Sequence, residues 1–466
     1  MDLHSACRRG DVARVRELLE SGAPTEAPGW GMQPPLVVAA MYGQVDVVRL
    51  LLDHGADPNV RTQDGMPVLH LAGSSDLSDM AALLLDHGAD LGATDGEDRT
   101  ALDWALLNGS PGVARLLLDR GILEGASSEA WARALENAAQ STRPAGVDLL
   151  IERGARVEDA SWNPLQAAIV ADDAEAAKRA LAEGVAIDEP KEDPPLVMAA
   201  RLSRGDLVRI LTQAGADTSL RNRYEQSALE LSAHAGHSEV VELLLEAGAD
   251  PNGAPEPRDP DSCYWVTPLG HAAAAGDLRA MQALLRAGAE VGRTGGNRQT
   301  AMHSAALYSR PDAVRLLAEH GADPNARDSH DCTPLHGVHP SVPNAGDSHA
   351  TIRALVDAGT DINAHSGMTR MTPLLEAAMT ATTMGDYAIV ALLLELGADP
   401  NTDMTEGMGA LSMAVHRGDA HLTAMLLQAG ADPNSHAPGH PTLLERAERM
   451  GRADLADLLR RYGAEG

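Results

Sequence analysis

Aromatic residues and cysteine are scarce in this chain of 466 residues. Phe is absent and the aromatic content is only 2 %, so a buried core has to be built from Leu, Val, Ala, Ile and Met. Such a core suits thin layers of helices in close contact. The three cysteines, Cys7, Cys263 and Cys332, lie far apart, which argues against a disulfide framework or a Cys-x-x-Cys metal site.

Long apolar runs are also missing. No stretch of about 18 apolar residues occurs, so the sequence predicts no membrane-spanning helix. The N-terminal residues lack the apolar core of a secretory signal. We therefore expect a cytoplasmic protein with no membrane partner.

Positive charge is sparse, and lysine occurs only at Lys178 and Lys191. With 67 acidic and 37 basic residues, the formal net charge is −30. Binding to nucleic acid relies on basic surfaces, so we expect no nucleic-acid partner. The acidity fits either the solubility of a long exposed molecule or the electrostatic steering of a basic protein partner.

Glycine, in contrast, recurs at a regular interval, usually followed by Ala. Most of the recurring glycines are 33 residues apart, which is typical of a repeat architecture. The repeats leave almost no stretch for a separate catalytic domain. The positions are Gly22, Gly55, Gly88, Gly121, Gly154, Gly184, Gly215, Gly248, Gly288, Gly321, Gly359, Gly397, Gly430 and Gly463.

Each period contains two short helical patterns and a turn. Pro35 stands in the first turn of one pattern, where the missing N–H of proline costs nothing. In the second pattern Val48, Leu51 and Leu52 follow the spacing of one buried helix face. Gly55 then supplies a left-handed residue that ends the helix, and an Asp-Pro-Asn sequence turns the chain towards the next unit.

These units resemble ankyrin repeats, in which a β-turn is followed by two antiparallel helices. The Thr-Pro-Leu-His start motif is complete at Thr333-Pro334-Leu335-His336, and the loop Gly-Ala-Asp-Pro-Asn occurs five times. The resemblance covers essentially the whole chain. It implies an all-α solenoid, an ankyrin repeat array of about fourteen stacked helix-turn-helix units with β-turn or hairpin fingers.

Departures from the period suggest a division of the array into three parts. Residues 1–128 form N-terminal repeats with a polar cap, and residues 192–466 form C-terminal repeats with a second cap. Between them, at 129–191, the loops shorten and the motifs fade, so we expect degenerate ankyrin-like repeats where the array could bend. Because both ends are polar, the expected state is a monomer.

Three insertions interrupt the repeats. A proline-rich loop at 253–262 leads to Tyr264 and Trp265, which either anchor a partner, since aromatic residues dominate interface hot spots, or pack on the neighbouring finger. The other two insertions, at 339–348 and within 380–386, fall between the two helices of a unit. We interpret them as tolerated surface loops.

Motifs for catalysis, cofactor binding and metal binding are not found. The sequence contains no Gly-x-Ser-x-Gly, no His-Glu-x-x-His and no phosphate-binding loop, so we expect no enzyme and no cofactor. His330, Cys332 and His336 do not follow a zinc-ligand spacing. By the resemblance, His336 occupies the motif position that bonds to the backbone of an adjoining turn.

The resemblance implies a non-catalytic scaffold or adaptor that binds another protein on a concave face made of fingers and inner helices. Two alternatives remain open at this point: an acidic inhibitor or immunity-type protein that neutralises a basic toxin or enzyme, and a structural module that assembles with itself or spaces other complexes. The identity of the partner is not encoded in any motif. The residues expected to contact a partner are Arg61, Asp64, Arg99, Arg221, Arg223, Tyr224, Tyr264, Trp265, Arg327, His330 and Arg370 on the fingers, and Tyr42, Arg201, Tyr308 and Arg417 on the first helices.

Overall fold

The fold is an all-α repeat solenoid. The computed structural model describes residues 2–26, 33–190, 193–253, 266–338, 346–367, 369–384, 387–404, 408–435 and 440–465. Within these ranges the chain forms 27 α-helices and three short 3₁₀ helices. It divides into two compact units, Met1–Leu231 and Ser232–Gly466, and this boundary lies outside the degenerate segment 129–191. The three-part division drawn from the sequence stays a prediction.

The helices alternate between a first and a second helix in each repeat. The first helices are α1 Leu3–Arg9, α3 Pro35–Met41, α5 Val68–Ser74, α7 Ala101–Leu107, α9 Ser128–Gln140, α11 Pro164–Val170, α13 Pro195–Arg201, α15 Ala228–Ala235, α17 Pro268–Ala275, α19 Ala301–Leu307, α22 Pro373–Met384, α24 Ala410–Arg417 and α26 Leu443–Arg449.

The second helices complete the pairs. They are α2 Val12–Glu20, α4 Val45–Asp53, α6 Ser78–Asp86, α8 Pro111–Asp119, α10 Ala145–Glu152, α12 Ala174–Ala182, α14 Gly205–Gln213, α16 Ser238–Glu246, α18 Leu278–Arg286, α20 Pro311–Glu319, α21 Ser348–Asp357, α23 Ala388–Glu395, α25 Ala420–Gln428 and α27 Ala453–Arg461. The 3₁₀ helices are η1 Val157–Asp159, η2 Gly296–Arg298 and η3 Pro334–Gly337.

The core lies between the two helices of a pair and between neighbouring pairs. In α4, the side chains of Val48, Leu51 and Leu52 are buried, as the helical spacing predicts. In α3, the small residues Ala39 and Ala40 are buried and allow close helix packing. A fully buried Leu stabilises the fold by about 2–3 kcal/mol relative to an exposed one. Contacts among many Leu and Ala side chains therefore form the core, although aromatic residues are scarce in this chain.

The recurring glycines end the second helices as predicted. All fourteen have φ between 81° and 96°, in the left-handed region that side chains with a Cβ rarely adopt. After several of these glycines, an asparagine side chain ties the loop to the next repeat. Asn401, for example, donates from Nδ2 to the carbonyl of Gly430 (3.1 Å) and accepts at Oδ1 from the N–H of Asp432 (2.7 Å). The Gly-Ala-Asp-Pro-Asn sequence therefore fixes the spacing of consecutive loops.

In one repeat of the second unit, the residues that the structure describes form only a short 3₁₀ first helix. At 333–338 the start motif forms only the four-residue η3, which packs between α19 and α22. Its second helix α21 is complete and packs on α20 and α23, so the row of second helices is continuous here. In the next repeat, α22 extends to Met384. Residues 380–384 are thus helical and not the surface loop that the insertion suggested.

None of the described helices has both the length and the apolar character that are needed to cross a membrane.

Candidate protein-binding face

The fingers are short turns that precede the first helices. In the part of the chain that the structure describes, four fingers are closed by antiparallel bridges, which pair Arg61 with Pro67, Thr94 with Thr100, Arg221 with Ser227 and Asp403 with Gly409. Other fingers, at 295–299, 328–332 and 366–371, are closed by a backbone hydrogen bond between their ends, as between the N–H of Asp328 and the carbonyl of Cys332 (3.0 Å). The predicted β-turn or hairpin fingers are present.

Within each unit, hydrogen bonds join successive fingers. In the first unit, the guanidinium of Arg61 donates to the carbonyl of Thr94 (2.9 Å). In the second unit, the N–H of Ser329 donates to the carbonyl of Asn297 (2.8 Å), and the N–H of Gly367 donates to the carbonyl of His330 (3.0 Å). The fingers and the adjoining first helices of a unit form a connected surface, here called the finger face.

Buried Thr–His pairs orient the first helices against the fingers. The backbone N–H of Thr333 donates to Nδ1 of His336 (3.1 Å), so the ring proton lies on Nε2, which donates to the carbonyl of Met371 (3.2 Å). Thr300 and His303 repeat this arrangement, with Nε2 of His303 donating to Cys332 (3.2 Å). Burial lowers the pKa of both histidines, which favours the neutral ring. The structural role predicted for His336 is confirmed.

The arginines at the base of the fingers bond within the protein. Arg99 pairs with Asp95 (2.9 Å) and lies 4.9 Å from the centre of the Trp104 ring. Although burial would raise it, hydrogen bonds from Trp104 and from Arg99 hold the pKa of Asp95 well below its usual range. Arg221 forms a two-pronged ion pair with Glu230 (2.7 and 3.0 Å). These guanidinium groups stiffen the fingers.

Arg327 has the same role in the second unit. Its guanidinium donates to the carbonyl of Asp331 (2.6 Å) and to that of His365 in the next finger.

Family models match the chain over most of its length. Models described as ankyrin repeats (3 copies) match residues 3–62, 36–128, 165–254 and 269–366, and a model described as ankyrin repeat matches residues 369–403. The chain belongs to the ankyrin-repeat family. Ankyrin repeats generally mediate protein–protein interaction, and their fold is typically a non-catalytic scaffold.

Individual relatives match over shorter stretches. Neurogenic locus notch homolog protein 1 of Danio rerio is 36 % identical over 122 residues, which are 26 % of this chain and 4 % of the relative. Ankyrin repeat and SOCS box protein 6 of Homo sapiens is 34 % identical over 136 residues, 28 % of this chain and 31 % of the relative. Ankyrin repeat and SOCS box protein 16 of Homo sapiens is 35 % identical over 124 residues, 25 % of this chain and 26 % of the relative. The ankyrin array thus spans less than a third of each of these relatives.

Several residues expected on the finger face of the ankyrin array are exposed there. Asp64, His330 and Arg370 are exposed on fingers. Tyr224 is 60 % exposed at a finger tip, with the Arg223 guanidinium 5.1 Å from its ring centre. Their contact with a partner stays a prediction.

The first-helix candidates differ in their exposure. Tyr42, which ends α3, is 54 % exposed, and Tyr308 is half-buried at the end of α19. Arg417 is exposed, and its guanidinium bonds to Thr382 on the preceding first helix.

Arg201 is a correction, because the sequence places it among exposed candidates and its side chain is buried. The guanidinium makes a two-pronged ion pair with Asp193 (2.9 and 2.8 Å), and its Nε donates to the carbonyl of Ala139 (2.7 Å). With 5 % of the residue exposed, Arg201 is not part of the finger face. It instead links α13 to α9.

Tyr264 and Trp265, the other aromatic candidates, lie outside the described residues. Two further side chains that no sequence motif indicates are exposed: Met408 (49 %) on the finger at 403–409 and Met450 (43 %) at the end of α26. Because Met is an ordinary core residue in this chain, only its position in the repeat could have drawn attention to it. No group of three or more His, Cys, Asp or Glu in the described ranges is arranged to hold a metal ion.

Proposed function

We propose that this ankyrin array is a non-catalytic interaction module that binds a protein partner on its finger face. The observation that carries the proposal is where its exposed apolar side chains lie. Of the six large apolar side chains that are exposed in the described residues, five lie on a finger or at the end of a first helix. They are Met41, Tyr42, Tyr224, Met408 and Met450. Tyr462 at the end of α27 is the sixth.

Preorganisation supports the same face. Because Arg61 and Arg327 bond to the next finger in the array, these turns are held together before a partner arrives. Binding to a rigid surface loses less conformational entropy than binding to loops that must first become ordered.

The charge of the chain favours a basic partner. The net charge is −30, and the guanidinium groups of Arg61, Arg99, Arg221 and Arg327 already bond to oxygens of the protein. A strongly acidic protein attracts a basic protein and speeds its association at low salt. This is the observation that favours the inhibitor alternative, in which the bound protein is basic and loses its activity.

The test compares matched tyrosine variants. A photo-cross-linking residue at position 224 should capture one protein from native extract, and the same residue at position 462 should not. The double variant Tyr42→Ser and Tyr224→Ser should lose that protein, whereas Tyr462→Ser should retain it. Retention that falls between low and high salt indicates a basic partner. If the double variant binds as the wild type does, or if capture occurs from position 462 alone, the proposed face is wrong.

A further inference from the structure

A cavity lies next to η3 on the finger face of the second unit. Beside η3, a cavity of about 370 Å³ opens between α19 and α22. This volume lies within the usual range of ligand sites. Its lining includes Leu307, Met371, Glu376, Met379 and Thr380.

Glu376 on α22 contributes a carboxylate to the lining of this cavity. It lies in the first turn of α22, is half-buried, and has no hydrogen bond or ion pair to its side chain among the residues that the structure describes. Leu307, Met371 and Met379 line the same cavity and are apolar. A carboxylate in such surroundings loses hydration without gaining a partner, which raises the pKa of Glu376 to about 7.

Neighbouring groups do not neutralise Glu376. His303 on α19 and His336 on η3 are held in the neutral form, with both ring nitrogens in hydrogen bonds. Arg327 on the adjoining finger bonds to two backbone carbonyls, and Arg417 on α24 bonds to Thr382.

The remaining titratable groups near the cavity add no positive charge. Asp328 is a carboxylate that accepts from the backbone N–H groups of His330 and Cys332 (2.8 and 2.9 Å). Cys332 remains a neutral thiol, because burial raises its pKa to about 11.

We propose that this cavity binds one basic side chain, a lysine or an arginine, of a protein partner, with Glu376 as its counter-ion. The inference rests on the proposed function in that the partner approaches the finger face. A lysine fits both parts of the lining, because its aliphatic stem contacts the Leu and Met side chains and its ammonium group pairs with the carboxylate. An anion would be repelled by Glu376 and Asp328. A purely apolar group would leave the carboxylate buried without a partner.

The test uses n-butylammonium as the probe and the methionine methyl groups as reporters in NMR spectra. Titration of the full chain at pH 8 should shift the methyl signals of Met371 and Met379 saturably, with a Kd on the order of 1–10 mM for so small a ligand. 1-Butanol, of the same size but uncharged, should bind at least about 10-fold more weakly. For the wild type, affinity for the cation should fall about 10-fold between pH 8 and pH 6, as Glu376 becomes protonated.

Two variants with the same change in net charge provide the control. E376Q should weaken binding at least about 10-fold, whereas E319Q, which removes an exposed carboxylate at the end of α20, should bind as the wild type does. Unchanged backbone spectra away from the cavity verify that E376Q is folded. Equal affinity in E376Q and wild type, equal binding of 1-butanol, or no saturable shift up to about 50 mM would each overturn the pocket.

The test of the cavity and the test of the finger face can give different outcomes. If butylammonium binds through Glu376 but the tyrosine variants do not affect protein capture, the pocket stands and the proposed face fails. If butylammonium does not bind while the tyrosine variants lose the partner, the reverse holds.

Discussion

Asn325 accepts a hydrogen bond at Oδ1 from the backbone N–H of Asp361, with a distance of 2.7 Å. Its Nδ2 also donates to the carbonyl of Gly359 (3.0 Å), so one amide joins the loops of two consecutive repeats. The same arrangement at Asn401 and Asn434 shows that the loop asparagines are structural links between repeats.

Replacing this amide should destabilise the second unit. Asn325→Ala removes two hydrogen bonds, and we expect the free energy of unfolding to fall by about 1–2 kcal/mol. Urea unfolding followed by circular dichroism measures the change. The control Gln282→Ala, on the exposed side of α18, should stay within about 0.5 kcal/mol of the wild type. Equal stability of the two variants would contradict the structural role of Asn325.

Arg201 should be essential for the stability of the first unit. Arg201→Ala leaves Asp193 and the carbonyl of Ala139 without their partner, so we expect a loss of about 2–4 kcal/mol in the free energy of unfolding. Arg201→Lys keeps the charge but not the fork geometry, and should recover only part of the loss. Arg209→Ala, on the exposed side of α14, is the control. If Arg201→Ala unfolds as this control does, the linking role is wrong.

The pKa of Glu376 predicts a specific pH dependence of stability. The pKa is raised to about 7 in the folded protein from an ordinary value of 4.5, so the folded state binds more protons than the unfolded chain between these values. The free energy of unfolding should therefore fall as pH rises from 4.5 to 7. For this half-buried group we expect a change of about 1–3 kcal/mol.

The variant E376Q isolates this contribution. The difference in the free energy of unfolding between E376Q and wild type, measured from pH 4 to pH 8 by urea titration, should increase with pH in favour of the variant. A difference that does not vary with pH would contradict the raised pKa of Glu376.

The thiol of Cys332 should react slowly in the folded protein. Burial, together with the charges of Asp328 and Glu376, raises its pKa to about 11. At pH 8 we expect alkylation by iodoacetamide at least about ten-fold slower than in the urea-unfolded chain. Mass spectrometry of the peptide that contains Cys332 gives both rates. Equal rates would show that the side chain is not shielded.

The regular parts of the array could be predicted from the sequence because each rests on local chemistry. Gly55 ends a helix through its own backbone conformation, and His336 bonds to a Thr three residues earlier. Such relationships repeat with the period and are visible in one unit. Family membership and the all-α repeat fold follow from them.

The side-chain pairing on the finger face could not be predicted in the same way. The acceptor of Arg201 at Ala139 lies 62 residues earlier, and Arg327 bonds to His365 across a repeat of irregular length. An arginine that is exposed and one that is buried in an ion pair look alike in the sequence when the partner comes from another repeat.

The cavity beside Glu376 was missed for a related reason. The start motif at 333–336 is complete, which predicts a full first helix. Gly337 follows, and Pro340 and Pro343 are close behind, so helix continuation is unfavourable. The sequence contains this signal, but a surface loop at the insertion accounts for it equally well and indicates no cavity.

The helices α20, α21 and α23 pack on one another without interruption behind η3. Stability along the array and the shape of the binding surface are therefore carried by different layers of helices, whereas one core serves both in a compact globular domain. The second helices maintain cohesion along the chain here, whereas the described part of the first-helix layer can depart from the regular pattern. One repeat of a tandem protein can therefore change its binding surface without a redesign of the neighbouring repeats.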